Sequence, residues 1–303
     1  MLQFQPPGFG QKVIKTSLGA MAYYTPIAPP WRTLNSSNNQ ANDDRPPLVF
    51  LHSLGGGSSA YEWSKVYPAF AHGYQVIAPD LIGWGQSAHP VKTYQVEDYF
   101  TVLTEFLEAI ASPVPVVASS LTAGITIRLA IRRPDLFKML FLVSPAGYAD
   151  FGEDYGRNLA AQIAGIPGVD QMIYALGAAN ELAVRSFLEQ FLFAERSRLT
   201  QETVDAYLAS AQQPNAEYAA LASLRGDLCF DLSLYMSQLT VPTAIVWSEA
   251  SRFGTVATGE RLAKLSEAVK WVWAIANVGV LPQLETPATV IGLLHKALKI
   301  QSI

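Results

Sequence analysis

The residues best suited to chemistry lie in the run 114–124, where Val114, Val116, Val117 and Ala118 lead into Ser119, Ser120, Leu121 and Thr122. An apolar strand that breaks abruptly into a helix lifts one side chain above the sheet. The first N–H groups of the helix then point at whatever that side chain attacks. The chemistry this serves is attack of the Ser120 hydroxyl on a carbonyl carbon. A serine hydroxyl is a weak nucleophile, so a base must take its proton and a third group must orient the base. Four histidines could act as that base, His52, His72, His89 and His295. The competing reading of Ser120 is a cap for the helix predicted over 121–132.

The elements that would position Ser120 are legible as six short apolar runs, at 48–51, 75–78, 114–118, 138–143, 243–247 and 270–275. Helix-like stretches separate most of them, which predicts an α/β fold: a mostly parallel sheet covered by helices on both faces. Residues 12–16 and 20–25 suit an edge hairpin, and 28–47, with four prolines, a surface loop. Between Gly147 and Leu239 the alternation stops. Leu182, Val184, Phe187, Leu188, Phe191 and Leu192 carry helical spacing, so this stretch reads as an all-helical insertion. The expected organisation is an α/β core of 1–146 and 240–303 with a helical cap over 147–239. Tyr148, Phe151, Tyr155, Tyr174, Phe187, Phe191, Phe193 and Tyr207 either line an apolar ligand cavity beneath that cap or pack its own core.

At 303 residues, half apolar and 15% charged, the chain can bury a large core. A net charge of -4, with no basic run longer than Arg132-Arg133, argues against nucleic acid or an anionic membrane and for small molecules or a protein partner. The lone cysteine, Cys229, and an N-terminus without a charged-then-apolar pattern point to a reduced, cytoplasmic setting. No stretch reaches the roughly 18 apolar residues of a spanning helix. The histidines share no metal-ligand spacing, and Gly83-Trp84-Gly85 lacks the third glycine of a dinucleotide fingerprint, so neither metal nor cofactor is expected. Asp80 is expected to anchor the glycine turn that follows it.

Three motifs follow three successive core strands: Phe-Leu-His-Ser-Leu-Gly-Gly-Gly over 50–57, Pro-Asp-Leu-Ile-Gly-Trp-Gly-Gln-Ser over 79–87, and Ala-Ser-Ser-Leu-Thr over 118–122. In order and spacing they resemble the α/β-hydrolase superfamily, in its branch with a helical cap, from about residue 10 to the end. The resemblance implies Ser120 at the nucleophile position, with the backbone N–H groups of Leu121 and Leu54 as oxyanion donors. The family's G-x-S-x-G flanks are Ala118 and Thr122 here, and the branched threonine predicts a relaxed elbow or a tilted Ser120. The family acid belongs in a phrase like W-G-E-x-D. This chain has Trp247-Ser248-Glu249-Ala250-Ser251, which puts Ser251 at the acid position and Glu249 two residues away. Asp150, Glu153 and Asp154 follow another strand and read as solvated charges. The family histidine belongs in N-x-G-H-x-P-x-x-E, and the matching phrase, 277–285, places Val280 there. Valine has no lone pair. His52, beside the oxyanion loop, is the leading substitute base and His89 the next; His72 and His295 read as surface or packing residues.

Loss of the histidine in a serine protease costs about a millionfold in turnover, about 8 kcal/mol. Efficient hydrolysis is therefore not expected with Val280 in place. The first expectation is a pseudoenzyme, a hydrolase fold that binds a small apolar ligand under the cap as receptor, carrier or regulatory subunit. The alternative is a carboxylic-ester (acyl) hydrolase with a relocated base such as His52. A third reading is a cofactor-free lyase or oxygen-dependent enzyme that uses the oxyanion donors without acylating Ser120.

Overall fold

The computed structural model describes residues 4–32, 45–110, 112–153 and 180–300. Its eight strands form one sheet: β1 (Phe9–Thr16), β2 (Gly19–Pro26), β3 (Pro47–Leu51), β4 (Gln75–Pro79), β5 (Val114–Ser119), β6 (Phe137–Val143), β7 (Thr243–Ser248) and β8 (Val269–Ile275). The order is β1-β2-β4-β3-β5-β6-β7-β8. The β1–β2 hairpin forms the edge and joins β4 antiparallel, while the remaining pairs are parallel. The six apolar runs thus form the parallel part of the sheet, each with one end displaced by one residue. Most of the 28–47 loop, residues 33–44, lies outside the described residues.

The central strands read as unbroken apolar runs because helices cover both faces. All six residues of β5 are buried. Side chains alternate across a strand, so Val116 and Ala118 pack with Leu103 and Phe106 of helix α1 (Val96–Ala109) and Ile125 of α2 (Ser120–Arg132). Val117 faces the opposite cluster, which contains Leu294 and Ala297 of the C-terminal helix, Pro287–Ile300.

Between β6 and β7 the described residues contain helices and no strand: α3 (Glu181–Phe187) running into a π turn (Leu188–Leu192), α4 (Gln201–Ala211) and α5 (Ala216–Arg225). Tyr155, Tyr174 and Asp154 lie outside the described residues. Phe187, Phe193 and Tyr207 belong to a packed apolar cluster, and Phe191 is exposed. A buried polar network seats α4 on the core. The Tyr207 hydroxyl donates to Glu62 at 2.9 Å, Ser210 donates to the Ser58 carbonyl at 2.9 Å, and the Tyr61 and Thr203 hydroxyls meet at 3.1 Å. Glu62, fully buried, also accepts the Ser53 N–H at 2.9 Å and the Ser53 hydroxyl at 2.8 Å. One carboxylate therefore ties α4 to the loop after β3.

Asp80 anchors the turn after β4, accepting the N–H groups of Ala60 and Gln86, both at 2.7 Å, and the Tyr24 hydroxyl at 3.3 Å. Replacing it by alanine leaves these donors unmatched in the interior, so Asp80→Ala is expected to lower stability by about 3 kcal/mol in urea denaturation. Burial lifts the Asp80 pKa from 3.8 to about 6. The folded state therefore holds the extra proton in that window, and this carboxyl's contribution to stability declines as pH rises through it. Asp80→Asn should flatten that part of the stability–pH curve.

Candidate active site

The chain turns from β5 into α2 within one residue. Ser119 is extended, with φ -127° and ψ 150°, and Ser120, the first residue of α2, has φ 56°. A left-handed conformation in a non-glycine residue is costly and survives only where its surroundings impose it. Ser120 is therefore displayed at a tight elbow, and neither serine caps the helix through its side chain. Thr122 does not relax the turn as its branched side chain suggested, because its side chain is accommodated in the interior with its hydroxyl unpaired. Gly124 explains the close approach of α2 to the loop after β6: a Cβ there would lie 2.5 Å from the Ala146 carbonyl oxygen.

That loop supplies the partner of Ser120. The Tyr148 Oη lies 2.6 Å from Ser120 Oγ, and Tyr148 is itself left-handed, with φ 63°. Asp150 holds the loop in shape. Its carboxylate accepts the Gly147 N–H at 3.0 Å and the Leu232 N–H at 2.8 Å. The expectation of a solvated Asp150 is thus corrected: these amides give a buried carboxylate its acceptor role, and burial raises its pKa. Glu153 is exposed. The Tyr148 ring meets Phe253 edge-on at 6.0 Å and, with Trp247, Arg252 and Thr255, lines a cavity of about 330 Å³.

The phrase 277–285, where the resemblance places the histidine position at Val280, is fixed by backbone contacts. Glu285 accepts the Gly279 N–H at 2.6 Å and the Ala194 N–H at 3.2 Å, which fastens residues 277–285 to the segment after the π turn. A Cβ on Gly279 would sit 2.4 Å from the Leu192 carbonyl oxygen. Val280 is 6% exposed and packs in one apolar cluster with Tyr61, Leu188, Leu192, Phe193 and Tyr207. At the acid position, Ser251 is half-exposed and its hydroxyl accepts the Phe253 N–H at 3.3 Å, a local turn contact. Glu249 is exposed.

The histidines are engaged elsewhere. His52 is fully buried; its Nε2 accepts the Leu81 N–H at 2.9 Å, so the proton resides on Nδ1, which donates to the Ser53 carbonyl at 2.6 Å. Both ring nitrogens are engaged, and burial depresses the His52 pKa to about 4. His89 donates from Nε2 to the Gly85 carbonyl at 3.1 Å. His72 stacks edge-on with Trp31, and His295 lies 4.4 Å from the Phe70 ring.

Leu51 pairs with Ala118 across parallel β3 and β5, so the loop carrying Leu54 lies beside the elbow. The Leu54 N–H makes no hydrogen bond within the described residues, and Leu121, in the first turn of α2, has no carbonyl one turn back in its helix. These are the groups the sequence assigned as oxyanion donors. No group of three or more His, Cys, Asp or Glu side chains among the described residues converges on a metal-sized site. Among the described residues, the site therefore offers hydroxyl and amide donors and no histidine or carboxylate bonded to Ser120. Sequence reasoning missed Tyr148 as the partner of Ser120; it sits 28 residues away in a loop without a motif.

Residues 46–287 match the family model of the alpha/beta hydrolase fold. An uncharacterised protein of Mycobacterium tuberculosis is 34% identical over 103 residues, but that match spans only 34% of this chain and 30% of the relative. Lipase 1 of Psychrobacter immobilis is 26% identical over 248 residues, covering 79% of this chain and 72% of the lipase. Among solved structures, a putative lipase of Acinetobacter baumannii superposes with a TM-score of 0.73 at 21% identity, covering 97% of this chain and 92% of that one.

Ser120→Ala and Ser120→Gly both remove the bond to Tyr148, but only glycine relieves the left-handed backbone. Ser120→Gly is expected to be more stable than Ser120→Ala by about 1 kcal/mol in chemical denaturation. Equal stabilities would mean that the elbow is unstrained.

Proposed function

Because the chain belongs to the α/β-hydrolase family and yet has valine where that family's base stands, we propose that it binds a small apolar, ester-like ligand at Ser120 without hydrolysing it at neutral pH. The observation that carries this is the burial of Val280 in an apolar cluster with residues of the helical insertion. No lone pair is available there, and the residues packed around Val280, Leu188, Leu192 and Phe193 of the helical insertion among them, are apolar. The Ser120 and Tyr148 hydroxyls, with the Leu54 and Leu121 amides, supply the polar end of the site. The names of the lipase relatives favour an acyl compound over a charged metabolite, in keeping with the chain's modest charge.

A panel of short-chain and aromatic esters, with their ketone analogues, tests this at neutral pH. The fitting compounds should raise the melting temperature by several degrees at saturation, since a hundredfold excess over Kd stabilises by about 2.7 kcal/mol. None should turn over. Ester hydrolysis at neutral pH that disappears in Ser120→Ala would overturn the reading.

A further inference from the structure

The Ser120 hydroxyl, which no histidine reaches, is bonded to one other titratable side chain, the phenol of Tyr148. We propose that Tyr148 is the proton acceptor of Ser120, forming a serine–tyrosine dyad that is silent at neutral pH and works once the phenol ionises. This rests on the proposed function, in which Ser120 is displayed as a nucleophile without a neutral-pH base. The 2.6 Å separation is already that of a proton-transfer pair.

The placement of Tyr148 is over-determined. Its backbone is left-handed, it forms an isolated bridge with Phe230, and Gly147 next to it is held by Asp150 and by the Phe230 N–H, which donates to the Gly147 carbonyl at 2.8 Å. A Cβ at Gly147 would lie 2.1 Å from the Phe230 carbonyl oxygen, so this approach has no slack. Two non-glycine residues thus keep unfavourable backbones and bring their hydroxyls together, an arrangement that persists only where the surroundings enforce it.

The charged groups around Tyr148 are of both signs. Asp150 and Glu153 come from its own loop, Asp231 from the segment that binds the Phe151 N–H, Arg252 from the loop after β7, and Arg261 lies over the Phe151 ring at 3.7 Å. The first two turns of α2 carry no titratable side chain. Asp150 is committed to backbone amides, and Glu153 is exposed, which leaves the phenol as the group bonded to the nucleophile.

With a fluorophosphonate, the Tyr148 phenolate takes the Oγ proton as Ser120 attacks phosphorus, the Oγ–P bond forms, the P–F bond breaks, and fluoride leaves with its electron pair. A free phenol titrates near pH 10 and is overwhelmingly protonated at pH 7. Modification of Ser120 should therefore accelerate by up to about tenfold per pH unit between pH 7 and pH 10 as the phenol ionises.

The test is the rate of fluorophosphonate labelling of the full chain, read by intact mass and peptide mapping across that pH range. Circular dichroism confirms folding at each point. The label should appear on Ser120, vanish in Ser120→Ala, and slow by at least about a hundredfold at pH 10 in Tyr148→Phe. A ring-fluorinated tyrosine introduced at position 148 acidifies the phenol with little change in shape, and should move the midpoint to lower pH, which a packing role would not do. Equal labelling of Tyr148→Phe at every pH, or a midpoint that ignores fluorination, overturns the dyad. Absence of labelling at any pH overturns the dyad alone and leaves the ligand-binding reading standing. Fast labelling at pH 7 that survives Tyr148→Phe overturns both.

Discussion

The site depends on one backbone conformation, the left-handed Ser120 at the junction of β5 and α2. Holding a non-glycine residue there costs about 1–3 kcal/mol. The surrounding packing offsets this: β5 is buried throughout, and the Gly124–Ala146 contact presses α2 against the loop after β6. Once the turn is made, the hydroxyl stands above the sheet and the first amides of α2 are left unsatisfied beside it. The position of Tyr148 matters for the same reason, because it gives the displaced hydroxyl its hydrogen-bonding partner.

Five titratable residues in the loops and turns at the strand ends are occupied with structure. Asp80, Asp150 and Glu285 accept loop amides, Glu62 binds both the Ser53 amide and the Tyr207 hydroxyl, and His52 bridges the Leu81 amide to the Ser53 carbonyl. Buried polar groups need such partners, and irregular loops at strand ends need such acceptors. The family phrase around Val280 shows how far architecture and chemistry separate. Glu285 and Gly279 set the path of the chain, while Val280, at the position proposed for the family's base, is part of an apolar cluster. Loss of the base need not disturb the fold, since the histidine position carries no backbone duty that valine cannot perform.

The parallel sheet was legible because strands covered on both faces are buried at every position, as β5 and β7 are, and so read as largely apolar runs. The expectation for Val280 and Ser251 rests on flanking residues, Asn277 to Glu285 and Trp247 to Ser251, that resemble the family's phrases. Tyr148 was not, because its role depends on a left-handed loop residue and a contact with Phe230, neither of which leaves a periodic mark. Asp150 looked like a surface charge for a related reason: the amides that bury it, Gly147 and Leu232, lie at opposite ends of the insertion. Glu62 was equally silent, since its partner Tyr207 is brought to it only when α4 docks.

The central claim is that this chain retains a hydrolase elbow and lacks only the groups that would activate it at neutral pH. Restoring them is the most direct test: ester turnover at pH 7 by the Val280→His, Ser251→Asp double variant beside the parent and a matching Ser120→Ala triple variant. The account predicts that the double variant gains a Ser120-dependent rate at least about a thousandfold above the parent's. A parent that already hydrolyses as fast as the double variant, or a folded double variant that gains nothing, would contradict it.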